Sequence, residues 1–120
     1  MKSYQELIVW QRSFALVNTL YPLTERFPKS QQFSLVQQIQ RAAVSIPSNI
    51  AEGYNRQSRK EYLQFLYIAL GSLAELETQI MIAHAQHYVT PHQAKELLDE
   101  TTQIGRMLRT LIKKLKPPAP

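Results

Sequence analysis

The sequence predicts an all-α protein, an up-down-up-down antiparallel four-helix bundle. Three observations carry that prediction: apolar residues recur at intervals of three and four in four separate stretches, helix-start signals stand between the stretches, and glycine occurs only 3 times in 120 residues. A sandwich or barrel needs a turn about every 8–12 residues, and this chain lacks the turn residues to make them. Most of its 7 prolines sit at ends and turns.

Each element follows from its own spacing. Leu7, Trp10, Phe14, Val17 and Tyr21 mark one face of a first helix, expected to face the core, while Val9, Leu16 and Leu20 lie off it and offer a second apolar surface. Trp10 itself fits either the core or a contact between subunits. Phe27-Pro28-Lys29-Ser30 ends that helix, because a residue before proline is pushed out of the helical region, and Ser30 or Ser34 is placed to cap the second. The second stripe is Leu35, Ile39, Ala42, Ile46 and Ile50. Ser58-Arg59-Lys60-Glu61 is a capping box that starts the third helix, whose stripe runs Tyr62, Leu66, Ala69, Leu73, Leu76, Ile80 and Ala83. Thr90-Pro91-His92-Gln93 repeats the device with proline at the first helical position, ahead of Leu97, Thr101, Ile104, Leu108, Leu111 and Leu115. Helices of about 20–28 residues span roughly 30–42 Å, and short connections make neighbours antiparallel. The bundle domain is expected over residues 1–116, with an extended proline-rich tail over 117–120.

Composition narrows the function classes. With 44% hydrophobic and 19% charged residues the chain makes one compact domain and leaves no length for a separate catalytic one. The absence of cysteine excludes disulfides, cysteine–zinc sites and a thiol nucleophile. The first residues lack the pattern of a secretory signal, and the uncharged stretch Tyr62 to Ala74 is shorter than the ~20 residues of a membrane span, so a soluble cytoplasmic protein is expected. Lys plus Arg number 14 against 9 acidic residues, a net charge of +5 that favours a polyanionic partner.

No catalytic pattern accompanies that charge. The sequence has no glycine-rich phosphate loop or nucleophile elbow, and Glu75 and Glu77 at i, i+2 cannot face one partner. His84 and His87 stand at i, i+3 on helix three, but the Glu-x-x-His pairs of a bundle metal site are missing, so neither metal nor cofactor is expected. Pro47 lies inside the second helical pattern with Ser45, Ser48 and Asn49 around it, which reads as a tailored kink or a small ligand site. Asn49, near the apolar stripe, is a candidate for fixing register or oligomer order. Folding helix two back on helix three about residue 56 brings Arg41 level with Glu75, a candidate interhelix ion pair. Gly71-Ser72 opposite Ala42-Ala43 suggests close approach of those helices. Pro22 suggests that helix one bends or ends early.

Charge is the most suggestive feature. After Glu100 no acidic residue remains, while Arg106, Arg109, Lys113, Lys114 and Lys116 follow, the first three of them along one helical face. A second cluster, Arg56, Arg59 and Lys60, is expected at the other end of helix four's neighbours. Two readings compete: a solvated helix end whose cations complement the dipole, and a surface for nucleic acid or another polyanion, whose phosphate contacts are independent of base sequence and sensitive to salt.

The run Arg41-Ala42-Ala43-Val44-Ser45-Ile46-Pro47-Ser48-Asn49-Ile50-Ala51-Glu52-Gly53 closely resembles the four-helix-bundle family of 23S rRNA intervening-sequence proteins. Leu7-Ile8-Val9-Trp10-Gln11, Tyr21 through Phe27-Pro28, and Gly71 through Gln79 fit the same family, and the likeness extends from Leu7 to Leu115. The resemblance implies a ring-forming bundle, typically a homopentamer, without catalytic activity. A related branch is similar to the accessory variability determinant of diversity-generating retroelements, a basic pentamer that binds nucleic acid and a reverse transcriptase. The expectation is therefore a self-assembling protein that presents Arg and Lys to RNA or DNA, or a protein-interaction scaffold whose charge only maintains solubility.

Overall fold

A computed structural model describes residues 2–118, so Ala119 and Pro120 of the expected tail lie outside the described residues. Four helices make the bundle: α1 (Ile8–Glu25), α2 (Leu35–Tyr54), α3 (Arg59–Ala85) and α4 (Pro91–Leu115). Single 3-10 turns at Tyr4–Glu6 and Lys29–Gln31 precede α1 and α2. Successive helices pack against each other and α4 closes on α1 around one core, forming a rod with extents of 50 × 23 × 21 Å.

The helix starts follow the capping signals, with local variations. Thr90 Oγ1 accepts from the Gln93 amide at 3.0 Å while Gln93 Oε1 accepts from the Thr90 amide at 2.9 Å, a complete capping box ahead of Pro91. At α3 half of the box forms: Ser58 Oγ accepts from the Glu61 amide at 3.1 Å, and the Glu61 carboxylate accepts from the Ser58 hydroxyl instead of the backbone. Ser34 occupies the N-cap of α2, yet its hydroxyl donates to Gln31 and makes no cap bond. The α3 C-terminus closes with Tyr88 N–H to Ala83 C=O at 2.8 Å and His87 N–H to His84 C=O at 3.0 Å. This Schellman closure holds His87 at φ 63, a left-handed conformation that a side chain disfavours. Helix α3 therefore stops at Ala85, and His87 lies beyond it, off the helical spacing that paired it with His84.

Both internal prolines are accommodated without ending a helix. Helix α1 runs through Pro22 to Glu25, and α2 through the buried Pro47 to Tyr54. Near Pro47, Asn49 Nδ2 donates to the Ser45 carbonyl at 2.7 Å and to its hydroxyl at 2.9 Å, and the hydroxyls of Ser45 and Ser72 share a hydrogen bond of 2.8 Å. The polar residues around Pro47 thus stitch α2 to α3 at the seam. The pairing of Ser45 with Ser72 keeps Arg41 and Glu75 near one level, yet they form no ion pair; both side chains are exposed to solvent.

The α2, α3 and α4 stripes are core, but the buried face of α1 is the neighbouring one, about a quarter-turn round the helix from the one expected. Val9, Leu16 and Leu20 are buried together with Ser13 and Thr24, while Phe14 and Tyr21 stay 50% and 40% exposed and Trp10 and Val17 are half-buried. The short polar residues explain why. Ser13 and Thr24 return their hydroxyl hydrogens to the Trp10 and Leu20 carbonyls at 3.0 and 2.9 Å, which lets them sit in the core and breaks the apolar pattern that would have revealed it. Helix α3 is long and apolar enough to cross a membrane, with mean hydropathy 1.3 over an 18-residue window, contrary to the sequence reading. Its inner face, from Leu66 to Ala83, is packed into the bundle, and Ile68, Met81 and Ile82 remain outside.

The glycines predict opposite outcomes. A Cβ at Gly53 would lie 2.7 Å from the Phe65 Cβ, an atom that cannot swing aside, whereas nothing lies within 4 Å of one at Gly71, which faces outward rather than toward Ala42 and Ala43. Gly53→Ala should cost about 2 kcal/mol or more through overpacking, and Gly71→Ala should add about 1 kcal/mol of helix propensity. Urea titration reads both. His87→Gly should likewise stabilise by about 1 kcal/mol by relieving the left-handed strain, while His87→Val should destabilise.

Candidate nucleic-acid interface

Antiparallel alternation decides where the charges collect. Helix α3 starts, and α2 and α4 end, at the same end of the rod as the amino-terminal segment. The two basic clusters expected apart are therefore neighbours. Lys2, Arg56, Arg59, Lys60, Arg109, Lys113, Lys114 and Lys116 lie in the segments that make this end, against Glu6, Glu52 and Glu61. That excess of five equals the whole formal net charge of +5; the other six cations and six carboxylates cancel along the rest of the rod.

Arg106 belongs to the neutral part. It lines a surface groove with Arg12, Glu96, Asp99 and Glu100, where carboxylates surround it. Arg12 crosses from α1 to clasp Glu100, donating from Nε at 2.9 Å and from a terminal nitrogen as well. That hydrogen bond raises the Arg12 guanidinium above its ordinary value, with partial burial opposing. A neighbouring groove of about 480 Å³ between α1 and α4 is floored by Leu16, Pro22, Leu23 and Leu97 and edged by Arg26, Glu96 and Glu100.

The basic end also carries aromatic rings. The Arg56 guanidinium lies 4.8 Å from the centroid of Phe65, and Lys116 Nζ lies 5.7 Å from that of Tyr67. Tyr67, Leu70, Arg109, Ile112, Lys113 and Lys116 line a notch of about 250 Å³ between α3 and α4. Gly105 gives Arg109 its place there: a Cβ would meet the guanidinium Nη1 at 3.1 Å, so the side chain lies back along the helix over the missing methyl.

Two further surfaces are apolar. Trp10 stacks on Phe14 at 5.0 Å and takes the edge of Tyr4 at 5.3 Å, making with Val17, Val44, Pro47 and Ala51 an aromatic face over α1 and α2. Tyr21, Gln37, Gln40, Arg41 and Val44 continue it. The other is the outer stripe of α3, where Ile68 and Ile82 are 51% and 45% exposed around Gly71 and Glu75. Sequence reasoning saw both apolar stripes of α1 but assigned them the wrong way round: Val9, Leu16 and Leu20, offered as the outer surface, are core, and Phe14 and Tyr21 are exposed. Among the described residues no cluster of three or more His, Asp or Glu side chains is grouped to hold a metal ion.

A model of the 23S rRNA-intervening sequence protein family matches residues 5–110. The chain belongs to that family. It is similar in structure to a protein with unknown function from the S23 ribosomal protein family of Bacteroides thetaiotaomicron, whose crystal structure was determined at 1.70 Å. The two are 28% identical, the match covers 88% of this chain and 96% of that one, and the TM-score is 0.82. No functionally curated protein matches the chain.

In this member of the 23S rRNA-intervening sequence family, helix dipoles account for only part of the basic end. Lys113 and Lys114 stand in the last turn of α4, where the dipole favours cations, but Arg59 and Lys60 open α3, where it disfavours them. At low salt, Arg59→Gln with Lys60→Gln should raise stability by about 0.5 kcal/mol, and Lys113→Gln with Lys114→Gln should lower it by a similar amount. Chemical denaturation of the two double variants checks the sign; equal effects would contradict this account.

Proposed function

We propose that the protein is a non-enzymatic, self-assembling bundle that holds RNA or DNA backbones on its cationic end and serves as an accessory to other macromolecules in the cytoplasm. The observation that carries this reading is the gathering of the entire net charge on one end, including Arg59 and Lys60 in α3's first turn, where helix electrostatics disfavour cations. Lysine and arginine of this kind bind phosphates by releasing counterions, which gives affinity without base specificity.

Self-assembly is supported by the two apolar surfaces, which differ in shape and charge. Arg41 borders the aromatic face of α1 and α2, Glu75 lies on the α3 stripe, and neither has an ion-pair partner among the described residues. A head-to-tail contact that pairs the two surfaces would join unlike patches, the arrangement that closes into rings. The family resemblance implies a pentamer, and five cationic ends on one body would bind a chain of phosphates far more tightly than one.

Anisotropy titrations with labelled RNA and duplex DNA at several salt concentrations test the reading. The slope of log K against log salt should be negative and should flatten by about 0.9 per phosphate contact removed on duplex DNA. Arg59→Glu with Lys60→Glu should weaken binding by at least about tenfold. Binding that is absent at low salt, or indifferent to salt, contradicts it. Phe14→Asp or Ile68→Glu should yield single subunits in light scattering without unfolding the bundle. Binding that fails while the assembly captures a protein such as a reverse transcriptase would favour the scaffold reading, to which the exposed Phe14 and Tyr21 also contribute.

A further inference from the structure

The notch between α3 and α4 has a composition that phosphate binding alone does not require. Its wall is an aromatic ring, Tyr67, 45% exposed and held against a cation on one face. Its floor is apolar, Leu70 and Ile112, and its rim is three cations, Arg109, Lys113 and Lys116, one turn apart along α4. Among the described residues no carboxylate lines it, in contrast with the groove around Arg106, where the cations are matched by Glu96, Asp99 and Glu100. Phosphate contact is served by cations on an open surface; a ring and an apolar floor set among them also suit the flat face of a base.

We propose that this notch seats one nucleotide of a single strand, with the base stacked on Tyr67 and the flanking phosphates on Arg109, Lys113 and Lys116. The proposal rests on the phosphate-binding reading above and gives it a preference for unpaired over duplex nucleic acid. In a duplex the base faces are buried against their neighbours and cannot reach the ring; in a single strand any base can turn onto it, so recognition is tolerant of sequence. Lys116, exposed at the end of α4, exchanges the ring for a phosphate when the base arrives. Arg109 is already laid along the seam by Gly105 and needs no rearrangement to meet the strand.

The experiment compares an unstructured oligouridylate, a duplex of equal length, inorganic polyphosphate and uridine monophosphate, each with the full chain and with Tyr67→Leu, Tyr67→Phe and Arg109→Gln. Tyr67→Leu should weaken oligouridylate binding about tenfold, leave duplex and polyphosphate binding within about twofold, and leave the salt slope unchanged, because stacking releases no counterions. Tyr67→Phe should restore the single-strand affinity. Arg109→Gln should weaken all three polyanions and flatten the slope. Photo-crosslinking of a thiouridine-bearing strand should map to the peptide holding Tyr67. If Tyr67→Leu binds every ligand as the parent does, or loses all of them equally, or the crosslinks fall elsewhere, the stacking seat is wrong while the phosphate reading stands. Uridine monophosphate binding as tightly as the strand would overturn the strand preference. A parent protein that binds none of the polyanions removes the phosphate reading itself.

Discussion

The close packing of α2 against α3 is the constraint from which the rest of the architecture follows. At Gly53 the helices approach so nearly that a single methyl would collide with Phe65, and at the far side of the seam Ser45 meets Ser72. With four residues between Tyr54 and Arg59, the chain has no option but to reverse there. Once that hairpin is set, connections over residues 26–34 and 86–90 append α1 and α4, and alternation brings the beginning of α3 and the end of α4 to one end of the rod. The cationic surface is thus a consequence of helix order: two basic segments far apart in sequence are made neighbours by antiparallel packing.

Much of this was legible in the sequence because the relevant physics is local. Thr90-Pro91-His92-Gln93 and Ser58-Arg59-Lys60-Glu61 announce helix starts through hydrogen bonds that span three residues. The stripes of α2 and α4 are read from spacing alone because each has one dominant apolar face toward the core. Helix α1 was misread for a physical reason. It carries two apolar stripes, and the more conspicuous one, with Trp10, Phe14 and Tyr21, is the outer one, while the true core stripe is disguised by Ser13 and Thr24. Nothing within α1 separates a side chain buried by its own subunit from one left over for a partner.

The site was legible in its residues but not in its assembly. Arg56, Arg59 and Lys60 and the α4 cations were visible as clusters, yet their meeting depends on topology rather than on spacing. Arg106 shares a helical face with Lys113, but the surrounding carboxylates of α4 place it in a different electrostatic setting. Tyr67 was invisible for a related reason: in sequence it is one apolar residue among many on α3, and only the return of α4 surrounds it with Arg109, Lys113 and Lys116. Gly71 was assigned to close packing on composition, when the residue that permits close approach is Gly53.

The charge asymmetry makes the central claim measurable with internal controls, because lysines occupy both the cationic end and the balanced remainder of the rod. Acetylation footprinting of the protein with and without a saturating RNA, read lysine by lysine by mass spectrometry, is the most direct measurement. The account predicts protection of Lys60, Lys113, Lys114 and Lys116, with Lys29 and Lys95 reacting as in the free protein. Protection spread evenly over all six, or confined to Lys29 and Lys95, would contradict it.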